Sequence, residues 1–160
     1  MKHVIGIADM RASALPGDVL VTYALGSCLG VVLHDPVAGV GGMLHAMLPS
    51  SQIDPAGAAT NPFRFVDTGV PALFAECYRL GARKERMTVK VAGGARAAAP
   101  EVQDSFEVGK RNFLMLRKLF WKNGVLIDAH DVGGHDSRTL ELEVGSGALL
   151  LRVGRERKRL

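Results

Sequence analysis

The chain has 160 residues, of which 48% are hydrophobic, a length and composition that suit one domain with a single core. Residues 152–159 hold five basic side chains and one acidic one, which accounts for the whole net charge of +4, so charge alone does not indicate nucleic-acid binding. Two cysteines cannot form a disulfide framework, and no apolar run reaches the roughly 18 residues of a membrane span. With no export signal at the N-terminus either, we expect a soluble cytoplasmic protein without membrane insertion.

The first half of the chain predicts a β-hairpin. Residues 19–24 are rich in β-branched and aromatic side chains and predict a strand, and the same pattern resumes at residues 29–34. Residues 35–39 read Asp-Pro-Val-Ala-Gly, which is typical of a turn, and residues 40–48 predict the second strand of the hairpin. Residues 49–62 predict a loop of a length that is often functional, and we expect it to contact a substrate.

The second half predicts two main helices and further strands. The first helix is capped by Thr68, has Pro71 in its first turn and ends at Gly81, and a buried strand over residues 87–91 then runs into Gly93 and Gly94. After a loop around Pro100, the remaining predicted elements are a helix over residues 109–122 that ends at Gly124, a strand over residues 125–130, and a hairpin of residues 138–144 and 148–153.

This order of elements predicts the fold class and the domain organisation. Strands at both ends with two helices between them are typical of a layered α/β domain. We therefore expect a single-domain α/β sandwich with mixed, largely antiparallel sheets and two main helices, formed by residues 1–154. Residues 155–160 are expected to form a basic tail, solvated or frayed.

Pairing within the predicted hairpin indicates which side chains share a face. If residues 36–39 form the loop of the turn, His45 pairs with Gly30. Cys28 shares the face of Gly30, because strand side chains alternate, so His45 is its diagonal neighbour. Diagonal partners are roughly 7–8 Å apart at Cα, a gap that an imidazole can span. A bulge at Gly41-Gly42 would break this register.

A cysteine beside a histidine is the pattern of a thiol nucleophile with an acid/base partner, and the alternative for Cys28 is a small buried core thiol. His34 shares the face but lies six residues along, roughly 20 Å away, and is excluded as the partner. Cys77, on the apolar face of its helix, is expected to be a packed thiol.

Glycines flank Cys28 on both sides. Gly26 and Gly30 would leave space for a substrate backbone and permit a turn that aims backbone N–H groups at an oxyanion. We therefore expect the oxyanion and substrate-binding groups around Gly26 and Ser27.

Ordered blocks along nearly the whole chain resemble a known family. They comprise residues 22–36, TYALGSCLGVVLHDP, residues 41–49, GGMLHAMLP, residues 64–68, RFVDT, Gly93-Gly94-Ala95, Val108-Gly109 with Arg111-Asn112, and Asp131-Val132-Gly133-Gly134 with Arg138-Thr139. The family that these blocks resemble is the chemoreceptor glutamine deamidases, CheD.

The resemblance implies a Cys-His-Thr triad formed by Cys28, His45 and Thr22, in which the Thr22 hydroxyl accepts a hydrogen bond from the imidazole and fixes its orientation. It also implies a protein-glutamine deamidase that works through a Cys thioester without metal or other cofactor. The implied substrates are glutamines on cytoplasmic helices of methyl-accepting chemoreceptors, where deamidation adjusts adaptation. A CheC-type phosphatase is the second implied partner.

Other functions stay open at this point. The domain could bind receptors and CheC as a regulatory module with catalysis secondary, or it could be another thiol enzyme, such as a transglutaminase-like acyl transferase or a peptidase. A metal site at His130 and His135 with Asp131 or Asp136 matches no tight ligand spacing. Gly93 and Gly94 are interpreted as a tight turn, because no phosphate-binding Gly-Lys-Ser/Thr element follows them.

Overall fold

The computed structural model describes residues 1–96 and 106–160, and the loop predicted around Pro100 lies outside them. Ten strands are present in the described residues: β1 (Lys2–Val4), β2 (Asp9–Ser13), β3 (Val19–Leu25), β4 (Leu29–Asp35), β5 (Val40–Ala46), β6 (Thr88–Gly93), β7 (Ala129–Val132), β8 (Arg138–Glu143), β9 (Leu149–Val153) and β10 (Glu156–Arg159). The α-helices are α1 (Pro55–Thr60), α2 (Val66–Arg79) and α3 (Val108–Asn123). Short 3-10 helices occur at Ser51–Ile53, Pro62–Arg64 and Lys84–Arg86.

The strands form two five-stranded sheets, which we call the outer sheet and the central sheet. The outer sheet has the order β1-β3-β8-β9-β10, and the central sheet has the order β2-β5-β4-β6-β7. All pairings are antiparallel except β1 with β3 and β6 with β7. The predicted fold class, a single α/β sandwich with mixed, largely antiparallel sheets, is confirmed.

The central sheet is buried on both faces, which produces three layers. One face packs on the outer sheet through a cluster that includes Val32, Met43 and Leu140. The other face packs on the two long helices through a second cluster that includes Val31, Leu73 and Leu116. Every residue of β4 and β5 is buried, as expected for strands covered on two sides.

The register of the β4–β5 hairpin agrees with the prediction. Asp35 pairs with Val40 and Gly30 pairs with His45, and the ladder runs without interruption from Leu29 to Asp35. The bulge that would have displaced His45 is therefore absent from this hairpin. His34 pairs with Gly41, far along the strand from Cys28.

Three predicted elements differ from the structure. Residues 49–62 are not an open loop, because Asp54 caps α1 through Gly57 N–H with Pro55 at its first position, and a 3-10 helix precedes it. Helix α2 begins at Val66, so Pro71 lies inside it, and the Thr68 hydroxyl donates to the carbonyl of Pro62 instead of capping. The strand predicted at residues 125–130 starts only at Ala129, because the parallel pairing with β6 begins there.

The ends of the chain are also more ordered than their composition predicts. The first thirteen residues contribute β1 to the outer sheet and β2 to the central sheet. Residues 156–159 of the predicted tail form β10, an antiparallel edge strand paired with β9. Their side chains are exposed, and Lys158 forms an ion pair with Asp131 at 3.0 Å. The basic end is therefore solvated as expected but not frayed.

Asp35 starts the turn of the hairpin as a buried carboxylate. Its oxygens accept hydrogen bonds from three backbone N–H groups and from one guanidinium. The N–H groups belong to Val37, Ala38 and Arg83, and the guanidinium belongs to Arg86. Burial alone raises the pKa of Asp35, but the hydrogen bond from Ala38, the Arg86 guanidinium and the other N–H donors outweigh it and hold the pKa below its usual range.

We expect Asp35→Asn to destabilise the fold by about 3 kcal/mol at neutral pH, because it removes a fully buried carboxylate that pairs with the half-buried Arg86 guanidinium and with several N–H donors. Since the folded-state pKa is depressed, the contribution is present above the ordinary carboxyl pKa and lost as pH falls below it. Urea unfolding at neutral and acidic pH should therefore show a difference from wild type that shrinks in acid. The exposed Asp9→Asn is the control, and an equal effect of the two substitutions would contradict this role.

Candidate active site

Cys28 lies in the short connection between β3 and β4, and a bulge shapes the approach to it. The register of β3 against β8 shifts between Thr22 and Leu25, and Ala24 has a left-handed φ of 56°. Because of the extra residue in β3, Thr22 and Leu25 are both buried. The connection reaches the surface at Gly26, where an added Cβ would meet no atom within 4 Å. Cys28 itself is half-buried.

The backbone carbonyls of the connection at residues 26–28 accept hydrogen bonds from three donors elsewhere in the chain. Ala95 N–H donates to the carbonyl of residue 26 at 2.8 Å, and Gly94 N–H donates to the carbonyl of Cys28 at 2.9 Å. The Asn112 side-chain amide donates to the carbonyl of Ser27 at 2.9 Å. Within residues 1–96 and 106–160, by contrast, the N–H groups of Ser27 and Cys28 donate to no other residue.

Gly93 permits the close approach of its backbone to the Cys28 carbonyl. Its φ is 113°, a region that L side chains rarely adopt, and an added Cβ would overlap the Cys28 carbonyl oxygen. The glycine pair therefore ends β6 and supports the backbone of the cysteine connection.

Gly30 has a different role from the one expected. A Cβ at Gly30 would lie 2.7 Å from a Leu140 methyl and 2.8 Å from a Leu25 methyl. The space beside Gly30 is therefore filled by the outer sheet and cannot take a substrate backbone. Only Gly26, of the two flanking glycines, opens to the surface.

His45 is buried, with 1% of its surface exposed, and faces the outer sheet from β5. Its Nδ1 lies 2.7 Å from the Thr22 hydroxyl oxygen. That hydroxyl donates its only proton to the carbonyl of Ile5 at 2.8 Å, because a carbonyl can only accept. Nδ1 must therefore carry the proton and donate to Thr22, which leaves Nε2 with its lone pair. Within the described residues, Nε2 has no hydrogen-bond partner.

Burial sets the protonation states of the two candidate catalytic groups. Burial lowers the pKa of His45, and it raises the pKa of the Cys28 thiol, with a smaller opposing effect from the residue's own backbone N–H. Both shifts favour the uncharged forms at neutral pH, a thiol on Cys28 and a neutral imidazole on His45.

His34 and the second cysteine have structural roles. His34 Nε2 donates to the Val144 carbonyl at 2.8 Å, consistent with its exclusion as the partner of Cys28. Burial raises the pKa of the Cys77 thiol to about 12, and Cys77 packs in the helical layer as predicted. Among the described residues, no three His, Cys, Asp or Glu side chains are grouped as metal ligands.

Residues 47–153 match the family described as CheD chemotactic sensory transduction. The chain belongs to the CheD family. A CheD relative from Solibacter usitatus, named probable chemoreceptor glutamine deamidase CheD, is 48% identical over 157 residues, which cover 98% of this chain and 92% of the relative. CheD 1 of Syntrophus aciditrophicus, with the same descriptive name, is 48% identical over 93% of this chain and 92% of its own length. The first of these matches necessarily spans Thr22, Cys28 and His45.

Two supporting residues of this CheD-family chain were not assigned a role from the sequence. Asn112 and Arg138 belong to the sequence blocks that resemble the family, and both are buried and polar. Arg138 donates to Asp131 at 2.8 Å and to the carbonyls of Gly93 and Asp136. The one available signal was a polar residue at a buried position of a helix or strand, which requires hydrogen-bond partners.

No helix in the described part of this CheD-family chain is long and apolar enough to cross a membrane.

Proposed function

We propose that this protein is a protein-glutamine deamidase, an amidohydrolase in which Cys28 is the nucleophile, His45 the acid/base and Thr22 the residue that orients the imidazole. The observation that carries the proposal is the Thr22–His45 hydrogen bond, because it places the proton on Nδ1 and leaves the basic Nε2 without a hydrogen-bond partner among the described residues. The names of the relatives support glutamine side chains as the substrate.

The first half-reaction forms a thioester. His45 Nε2 takes the thiol proton as Sγ of Cys28 bonds to the carboxamide carbon, and the carbonyl π electrons move to oxygen. Backbone N–H groups of Ser27 and Cys28 donate to that oxyanion. When the intermediate collapses, the C–N bond breaks and the imidazolium returns its proton to nitrogen, so ammonia leaves and the acyl group stays on sulfur.

The second half-reaction hydrolyses the thioester. Neutral His45 takes a proton from water as the water oxygen attacks the acyl carbon, and the imidazolium then protonates the departing sulfur. The products are a glutamate side chain and the free thiol, and atoms balance with water as the only co-reactant. The chemistry requires no metal, nucleotide or other cofactor.

We further propose that the substrate glutamines lie on cytoplasmic helices of methyl-accepting chemoreceptors, so that the enzyme acts in the cytoplasm and adjusts adaptation. A CheC-type phosphatase is the proposed regulatory partner. The segment of residues 49–62 is the proposed substrate contact. It is anchored near the end of β5, because Leu48 bridges to Phe65 and Asn61 donates to the carbonyl of Ala8 at 3.0 Å.

The test uses the purified chain with a purified chemoreceptor cytoplasmic fragment. Mass spectrometry of receptor peptides should show amide-to-acid conversion at selected glutamines, with one ammonia released for each. A primary amine added during turnover should leave this product dominant, because water is the proposed acyl acceptor.

Two results would overturn the proposal. Dominant amine adducts would identify an acyl transferase. Receptor binding without any change of mass would identify a binding module.

A further inference from the structure

Asn112 connects the two parts of the backbone that carry the candidate catalytic residues. Its side-chain amide nitrogen donates to the Ser27 carbonyl at 2.9 Å and to the Met47 carbonyl at 3.1 Å. Ser27 immediately precedes Cys28, and Met47 follows His45 by two residues. One nitrogen thus joins the cysteine connection to the end of the histidine strand.

Few side chains can make this connection. Both partners are carbonyl oxygens, which only accept, so the nitrogen and not the oxygen of the amide must face them. A terminal –NH₂ supplies one proton for each carbonyl. A hydroxyl carries a single proton and a carboxylate carries none, so neither Ser nor Asp can satisfy both.

The helix that carries Asn112 is itself seated against the same connection. A Cβ at Gly109, three residues earlier, would overlap the backbone of Gly94 and Ala95. These two residues donate to the carbonyls of Cys28 and Gly26. The start of α3 therefore packs directly on the backbone that fixes the cysteine.

This arrangement has an energetic cost. Asn112 is fully buried, and within the described residues its Oδ1 has no hydrogen-bond partner. A buried acceptor without a donor destabilises the folded state. The two carbonyls that the amide nitrogen holds account for a polar side chain at this buried position.

We propose that Asn112 is a positioning residue, which holds the Cys28 connection at a fixed distance from the end of the His45 strand. The inference rests on the proposed function, since it assigns the positioned groups their roles. Without the bridge the two backbone segments can separate, and sulfur and Nε2 lose the alignment needed for proton transfer. A misplacement of about 1 Å at such a site lowers rates by roughly 10²-fold.

The variants for the test are Asn112→Leu, which keeps the shape and removes both donors, and Asn112→Ser, which keeps one donor and covers the case in which the leucine variant fails to fold. Leu116→Ala is the matched control. Leu116 is also fully buried on α3, one turn further along, and its truncation removes packing without removing a donor to the cysteine connection.

Four quantities are measured for each variant: kcat and KM for receptor deamidation, the urea midpoint, and the pH dependence of Cys28 alkylation by iodoacetamide. We expect both Asn112 variants to lower kcat by roughly 10²-fold, with KM changed only a few-fold, and to shift the pH profile of alkylation. Leu116→Ala should lower the urea midpoint at least as much, yet leave kcat within about threefold and the profile unmoved.

Two results would overturn the role. One is a loss of kcat that follows the loss of stability equally in all three variants, and the other is a wild-type alkylation profile in the Asn112 variants. The alkylation measurement needs no receptor, so it decides the positioning role even if the wild-type chain deamidates nothing.

Discussion

Replacing Cys28 by alanine is expected to lower the deamidation rate by roughly 10⁴–10⁶-fold, to the level that bound water alone can reach. The variant keeps the fold, because the half-buried thiol contributes little packing. His45→Ala should lower the deamidation rate by a similar factor. The double variant should lower the rate no further than either single variant, because the two groups act as one unit. The measurement is ammonia release from the receptor fragment with enzyme at high concentration.

Cys77→Ala is the matched control for the nucleophile. Both residues are cysteines, but the thiol of Cys77 is buried in the helical layer and its pKa is raised to about 12. We expect its removal to reduce stability and to leave kcat within about twofold. Deamidation that persists in Cys28→Ala and disappears in Cys77→Ala would reverse the assignment.

Replacing Thr22 by valine is the second large effect that we expect, with kcat lowered by roughly 10²–10³-fold at nearly unchanged KM. Valine has the shape of threonine but cannot accept the proton of His45 Nδ1. The imidazole then loses the partner that fixes its tautomer, and the proton can move to Nε2, where it blocks the base. The carbonyl of Ile5 also loses its donor, which should cost about 1 kcal/mol of stability.

Thr22→Ser is the control, because serine keeps the hydroxyl and should restore most of kcat. Nitrogen-15 NMR of the imidazole should report the Nδ1–H tautomer in wild type and in Thr22→Ser, and a mixture in Thr22→Val. A valine variant with wild-type kcat would show that the Thr22 hydroxyl does not orient the base.

The register of the hairpin could be predicted because it depends on local information. A five-residue turn signal and the alternation of strand side chains determine the register between Gly30 and His45. Thr22 could not be derived in the same way. It lies in the other sheet, and no periodicity within one strand indicates how two sheets stack. Only the family resemblance indicated it.

Features that depend on distant parts of the chain were missed or misread. Asn112 contacts Ser27 across 85 residues of sequence, and Gly30 meets Leu140 across the gap between the sheets. Nothing near these positions in the sequence indicates their partners. Residues 49–62 looked like a loop because Pro, Gly and Asp are common in loops, yet Asp54 and Pro55 are also the residues that begin a short helix.

The hydrogen bond between Thr22 and His45 joins the outer sheet to the central sheet, and this has a consequence for engineering the protein. On the proposed function, the position of the His45 base depends on the spacing of the two stacked sheets, so the packing between them contributes both to the core and to the active site. We expect substitutions that tighten or widen this packing to change the reaction rate together with the melting temperature. The opposite face of the central sheet, where it packs under α2 and away from Asn112, is where we expect that thermal stability can be raised without changing the reaction rate.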